Sequence, residues 1–393
     1  MLARLRPNLA WRPARNVVIS VLIGLVILLP FVWNLGGQPA HLSPSEQFAR
    51  QTSNLSDIAT NPIYAPWRLI QCLLLQISSH SQTLMRLPSV IFAVGYLFAF
   101  YWLLKGWFGR PIAALSAILL GVTPLYLLLG RDGTPLVMNL APIIVMAAYV
   151  WLVRSDGEVR AWIGLFVALI LSLYTPGMVW LLVFALIANR KSITDNTEYY
   201  TRKTIASFCL LLILALSPLI LAFVRHPQLL NTYFMVPGVF SGAQHILSSW
   251  GWMMLSLSFK TQQHEVLILG RLPILNVAQT GLVVFGGYVM WDRLRSYFFW
   301  IVGAVIFICL MAGLNDTFYT LAMALPLLAI LVGMGLRYLF IEWIHVFPRN
   351  PLPRYFAICL MAALVVIHVL YGLRYGLVAW PHSLAVSHLY VLK

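Results

Sequence analysis

The sequence is built from apolar runs long enough to cross a bilayer, separated by short turns carrying Arg and Lys. A hydrocarbon layer of about 30 Å asks for roughly 20 apolar residues per helix. By that measure and by apolar periodicity we read about eleven crossing segments: Val17 to Trp33, Pro88 to Trp107, Pro111 to Leu129, Pro135 to Val153, Ala161 to Tyr174, Met178 to Ala188, Thr204 to Val224, Val277 to Trp291, Tyr297 to Leu314, Tyr319 to Leu336 and Tyr355 to Tyr371. The fifth and sixth are short and meet at Tyr174, Thr175, Pro176 and Gly177, so one bent re-entrant pair is an alternative. Inside lipid every backbone polar group needs a partner within its own segment, so the expected fold class is an all-α polytopic membrane protein. The composition agrees: 61% of residues are hydrophobic and 9% charged, beyond the need of a soluble core. Pro124, Pro142, Pro218 and Pro326 fall inside runs and are expected to be tolerated there by neighbouring helices. Val17 to Trp33 follows a basic stretch, as a signal peptide would. LPFVWNLGGQPA lacks a small-residue cleavage site, so we read it as a retained helix.

The net charge of +15 raises nucleic acid as a partner, but its distribution follows membrane topology instead. With the N-terminus in the cytoplasm, most of the 26 basic residues fall inside, among them Arg4, Arg6, Lys105, Arg110, Arg154, Arg160, Arg190, Arg293 and Arg337. The expected location is therefore a plasma (inner) membrane of a bacterial type, with no nucleic-acid partner. The cytoplasmic turns are too short for a nucleotide-binding domain, and neither a P-loop nor a dinucleotide fingerprint is present. Cys72, Cys209, Cys309 and Cys359 sit in apolar segments without paired spacing, so we read packing residues.

The chemistry has to come from the outer loops, 34–87 and 225–276, and from the turn Gly130 to Pro135 on the same side. In the first loop, Ser43, Pro44 and Glu46 have the spacing of a capping box opening a short helix. Ile63 to Ile77 is amphipathic and suited to lie along the membrane surface. A loop pressed against lipid partly desolvates its carboxylates and favours proton uptake, which makes Glu46 the first catalytic candidate; bonding only its own helix start is the plainer role. Asp57 is a second carboxylate or a cap. Arg131 ends an apolar helix facing outward, where a guanidinium can hold a phosphate, anchor at the interface or pair with Asp132. Tyr64 and Trp67 could stack on a sugar or simply anchor the loop. A divalent cation is an option for Glu46, Asp57 and a histidine, although no metal-ligand spacing supports it, so no cofactor is assigned.

The stretch LMRLPSVIFAVGYLFAFYWLLKGWFGRPIAALSAILLGVTPLYLLLGRDGTP and the later LSLSFKTQQHEVLILGRLPILN resemble the multi-pass glycosyltransferases of the GT-C fold. The resemblance is to the branch with the protein O-mannosyltransferases and the lipid A aminoarabinose transferase. It covers roughly residues 17–336 and implies a GT-C-like transmembrane module over 1–336, followed by a linker, a last helix and a short outer tail over 337–393. It further implies an inverting transfer from a polyprenyl-phosphate-linked sugar to an acceptor on the outer face, with membrane lipid as surroundings. The family carries an Asp-Glu pair just after its first helix; Ser45 and Glu46 stand there, the first acid being replaced. Glu46 is then the expected base, Arg131, Lys260 and Arg271 the expected donor-phosphate ligands, and Tyr64, Trp67, His264 and Glu265 the expected sugar or acceptor contacts.

Two other classes fit parts of the pattern. A flippase or transporter would want ionisable groups near the bilayer midplane, whereas the acids here fall in loops or at helix ends. A non-catalytic GT-C-like subunit accounts for the loss of the first acid.

Overall fold

The computed structural model describes residues 24, 27–37, 39, 41–78, 80–155, 158–190, 202–238, 242–262, 267–346 and 351–390. Most of the first apolar run, Val17 to Trp33, lies outside the described residues, and only its last turns, 27–32, are seen as helix. The described residues are all helical or irregular. The first long loop contains α1 (Pro44–Gln51), α2 (Leu55–Thr60) and α3 (Ala65–Ile77). The expected capping box opens α1, and α3 coincides with the amphipathic stretch.

The next elements are α4 (Gln82–Phe108), α5 (Arg110–Gly121), α6 (Pro124–Leu129), a 3-10 turn (Pro135–Leu140) and α7 (Pro142–Arg154). They are followed by α8 (Val159–Leu173), α9 (Met178–Ala188), α10 (Arg202–Ala215), α11 (Ser217–Arg225), α12 (Gln228–Phe234) and α13 (Ala243–Ser258). The chain closes with α14 (Val277–Arg293), α15 (Arg295–Leu314), a second 3-10 turn (Phe318–Ala324), α16 (Leu325–Val346), α17 (Pro351–Leu373), a π turn (Arg374–Ala379) and α18 (Leu384–Leu389).

The expected runs have helical counterparts, but fewer are continuous spans. Among the described residues five stretches are long and apolar enough to cross a membrane: Gln82–Phe108, Pro135–Arg154, Arg295–Leu314, Phe318–Trp343 and Tyr355–Leu389. Ile205–Ala215 and Ser217–Arg225 make a sixth if their 51° bend is counted within one span. Arg110–Gly121, Val159–Leu173 and Met178–Ala188 are apolar but short. Pro124 and Pro218 account for part of the difference, each standing at a break between segments. Pro124, Pro142, Pro218 and Pro326 were expected inside helices; each instead sits in the first turn of a new segment. Proline lacks the N–H that an interior position must donate, and it suits a first turn, where that group has no intrahelical acceptor.

One core runs through the bundle, with Leu97, Phe100, Leu103 and Leu104 of α4 against Tyr126, Leu127, Leu321 and Leu325. The closest helix pair is α14 with α16. A Cβ on Gly286 would collide with the carbonyl of Leu331, and one on Gly335 with the carbonyl of Leu282, so each backbone lies in the other's groove. Small residues permit such an approach in membranes, where packing rather than hydrophobicity joins helices. Residues 374–390 fold back onto this body: Tyr375, Trp380, Val386 and Tyr390 belong to the same core as α4. We expect Gly335→Leu to force α14 and α16 apart. Size-exclusion chromatography in detergent should show loss of the monodisperse protein, whereas Gly281→Ala, which meets open space, should leave it intact.

Candidate active site

Helix α4 begins earlier than its apolar run. Ser81 caps it, accepting from the N–H of Leu84 at 3.3 Å, so the helix starts at Gln82 and carries Arg86 in its second turn. A guanidinium there, in an apolar helix, must find acceptors. Arg86 is 1% exposed and uses all five N–H groups. Nε donates to Glu46 Oε1 at 2.9 Å and Nη2 to Glu46 Oε2 at 3.2 Å, a bidentate pair. Nη1 donates to the carbonyls of Leu35 (2.9 Å) and Pro39 (3.1 Å), and Nη2 also to that of His41 (2.9 Å). The chain leaving the first helix is thereby wrapped around one cation.

Glu46 is equally saturated and fully buried. Besides Arg86, Oε2 accepts from the N–H of Ser43 at 2.9 Å, closing the capping box. Oε1 accepts from the N–H of Gly133 at 2.8 Å, which ties the first loop to the turn after α6. Only glycine fits there, because a Cβ at 133 would stand 2.9 Å from Oε1 and 3.2 Å from Met85.

The same turn places a second carboxyl and a second guanidinium beside the first pair. Asp132 is buried and accepts from the hydroxyl of Thr134. Burial, and then the Glu46 carboxylate, push its pKa up to about 7 against the weaker pull of Thr134 and Arg86. Arg131 is 6% exposed and donates through Nη1 to the carbonyls of Pro30 (2.7 Å) and Trp33 (2.8 Å), capping the end of the first helix. Burial, and then repulsion from Arg86, lower its pKa to about 10, so it stays charged at neutral pH. Tyr390 closes the far side, with its phenol pushed up by burial and then by Asp132 and Glu46.

The expected site residues are distributed unevenly. Glu46 and Arg131 meet through the Gly133 turn. Arg131 bonds helix carbonyls, not Asp132. Asp57 lies in the first turn of α2 and acts electrostatically on Arg68, which donates to the carbonyls of Asn61 and Thr52. Tyr64 adopts a left-handed backbone at the start of α3 and donates its N–H to Tyr174 O at 2.9 Å. Trp67 is fully buried, its Nε1 donating to Ser89 Oγ at 3.0 Å while Ser89 donates to Thr134 O at 3.2 Å. It supports the turn and presents no ring face to a sugar. Lys260 and Arg271 are exposed, on two strands of loop joined by the N–H of Thr261 donating to Arg271 O at 3.2 Å. His264 and Glu265 lie outside the described residues. Among those described, no three His, Cys, Asp or Glu side chains gather as a metal site would need.

Sequence reasoning passed over Arg86 and Asp132. The signal for Arg86 was a cation standing at the edge of a long apolar run, where it costs too much to be idle. Asp132 gave none beyond its place next to Arg131, because what distinguishes it is a partner far away in the chain.

Two outcomes follow from this geometry. Glu46→Gln leaves a buried guanidinium without its counter-ion and should cost about 3–5 kcal/mol; thermal unfolding in detergent should show it, and Glu46→Leu combined with Arg86→Met should recover only part of the loss, because the carbonyls of Leu35, Pro39 and His41 and the N–H groups of Ser43 and Gly133 lose their partners. For Asp132 the folded pKa lies above the ordinary 3.8, so folding takes up a proton between about pH 4 and 7. Stability from this group therefore falls as pH rises through that window and is flat above it. Asp132→Asn should remove that slope in melting temperature against pH.

A family model described as dolichyl-phosphate-mannose-protein mannosyltransferase matches residues 60–222. Among solved structures, the chain is similar to ArnT from Cupriavidus metallidurans in the apo state, at TM-score 0.59 and 16% identity over 96% of this chain and 77% of that one. ArnT bound to undecaprenyl phosphate gives 0.56 and 14% over the same shares. The archaeal oligosaccharyltransferase AglB from Archaeoglobus fulgidus, in complex with an inhibitory peptide and a dolichol-phosphate, gives 0.55 and 12% over 93% of this chain and 56% of that one. No curated protein sequence matches. At these identities the structural likeness establishes a common fold.

Proposed function

We propose that this GT-C-fold chain, related to ArnT, AglB and the protein mannosyltransferases, is a membrane glycosyltransferase that takes its sugar from a polyprenyl-phosphate-linked donor. Transfer would occur on the outer face of a bacterial inner membrane, with inversion at the sugar. The observation that carries the reading is the charge cluster at the outer end of α4, supported by a fold shared with ArnT bound to undecaprenyl phosphate and AglB in complex with a dolichol-phosphate.

The cluster contains two guanidiniums, Arg86 and Arg131, against one committed carboxylate, Glu46. Asp132, its pKa raised to about 7 by burial and then by Glu46, offsets the second guanidinium only in its ionised form, the form that can also accept a proton. While it is protonated the surplus is positive and sits in a water-poor setting, which favours the arrival of a lipid-borne phosphate. Arg131 is the member that would turn toward it, since among the described residues only its Nη1 is engaged by main-chain carbonyls. Lys260 and Arg271, exposed in the later outer loop, would add to the attraction.

Proton acceptance falls to the Glu46 and Asp132 pair. All lone-pair directions of Glu46 are taken by Arg86, Ser43 and Gly133, so its part is to hold the cluster together and to raise its neighbour. Asp132 is the member that titrates near neutral pH, as a general base should. In the step itself, the acceptor's O–H gives its proton to that carboxylate and its oxygen attacks the anomeric carbon. The bond from that carbon to the phosphate oxygen breaks on the opposite face. The electron pair leaves with the phosphate, stabilised by the guanidinium.

A second reading has its own observation. Ser45 stands where the first acid of the family's pair is expected, and Glu46 is locked in its helix cap, which suits a GT-C-like subunit that binds lipid phosphate without chemistry. The assay that separates them incubates purified protein with polyprenyl-phosphate sugars and follows sugar transfer and lipid-phosphate binding together. Transfer by the wild type, reduced about 10²- to 10⁴-fold in Asp132→Asn with binding retained, supports the enzyme. Binding without transfer in the wild type supports the subunit.

A further inference from the structure

At the other end of α4 a long apolar groove opens between α4, α7 and α8, with a volume of about 560 Å³. Its floor is Ala147 and Ala148 of α7, both nearly buried, and its walls are Ala99 of α4 and Gly164 of α8. Every lining residue is apolar. From Ile144 to Trp151 the groove runs seven residues, about 10 Å along α7, or most of one leaflet's half of the roughly 30 Å hydrocarbon layer.

One end is built differently from the rest. Trp102 and Trp151 meet edge to face at 6.4 Å, and the Trp151 ring lies on Gly164, whose missing Cβ leaves room for it. One turn beyond each tryptophan, on the same helix face, stands a cation: Lys105 after Trp102 and Arg154 after Trp151. The Arg154 guanidinium reaches across to α4 and lies against Gly106. Both cations are exposed, and among the described residues neither forms a salt bridge. Tryptophan followed by Lys or Arg marks the level of lipid headgroups, and the excess of basic residues assigns this end to the cytoplasmic side.

We propose that this groove is a binding site for an anionic phospholipid of the cytoplasmic leaflet. One acyl chain lies on Ala147 and Ala148, and the phosphate sits between Lys105 and Arg154. The site is separate from the outer charge cluster. Arg86 and Trp102 are sixteen residues apart on α4, about 24 Å along the axis, so a phosphate held at one end does not sit at the other.

The test is native mass spectrometry of the detergent-purified full chain titrated with phosphatidylglycerol, phosphatidylcholine of the same acyl chains, and undecaprenyl phosphate. Wild type should retain phosphatidylglycerol about tenfold or more over phosphatidylcholine, the scale expected of two cations near a headgroup. Lys105→Gln with Arg154→Gln should abolish that preference, and Ala148→Phe, which fills the groove, should weaken retention of both phospholipids. Should Ala148→Phe fail to fold, the surface charge variant decides alone. Equal retention of the two phospholipids by wild type would overturn the proposal. So would a preference unchanged in the charge variant, or undecaprenyl phosphate outcompeting phosphatidylglycerol in wild type but not in that variant.

Discussion

The half of the molecule around the start of α4 depends on one buried ion pair. Arg86 alone would be intolerable in the second turn of an apolar span, and Glu46 alone would be an uncompensated charge with no exposure to water. Together they satisfy each other, and their remaining hydrogen bonds reach three separate pieces of chain. These are the carbonyls at 35, 39 and 41, the start of α1, and the turn at Gly133. The charge pairing by itself adds little net stability over an apolar replacement, but with these hydrogen bonds it admits only one arrangement of those pieces. That fixes where Asp132 and Arg131 stand.

From that arrangement the electrostatics follow. Because Arg86 is already committed to Glu46, it cannot also neutralise Asp132, and burial beside an existing negative charge keeps the second carboxyl near its proton. Arg131, held against the end of the first helix, stays charged because its acceptors are carbonyl dipoles, which complement a cation at a helix C-terminus. A carboxyl whose pKa is raised to about 7, an ion pair and a second cation thus stand together in one water-poor cluster. The C-terminal segment contributes as well: Tyr390 interacts with Asp132 and Glu46, and Trp380 packs edge to face on it at 6.0 Å.

Much of the fold could be read in the sequence because bilayer thickness translates directly into run length. The capping box at Ser43, Pro44 and Glu46 was legible for a similar reason, being a local pattern with a local cause. What escaped was any feature set by distant partners. The prolines were read as passengers within long helices, yet Pro124 and Pro142 open new segments, since a run's hydrophobicity says nothing of where its hydrogen-bond ladder breaks. Trp67 has the look of an interfacial anchor in an amphipathic helix; Ser89 and Thr134, far along the chain, make it a buried strut. Glu46 was identified, but its partner Arg86, forty residues on, was not.

The central claim is that Glu46 is committed to its bidentate pair with Arg86 while Asp132 carries the proton that exchanges near neutral pH. Infrared difference spectroscopy of the purified protein in lipid, stepped from pH 5 to pH 9, reads the protonated carboxyl stretch directly. A band that disappears near pH 7 in the wild type, is absent from Asp132→Asn and persists when Asp57 is replaced by Asn is the result expected. A wild type with no such band, or one whose band survives in Asp132→Asn, would contradict the account.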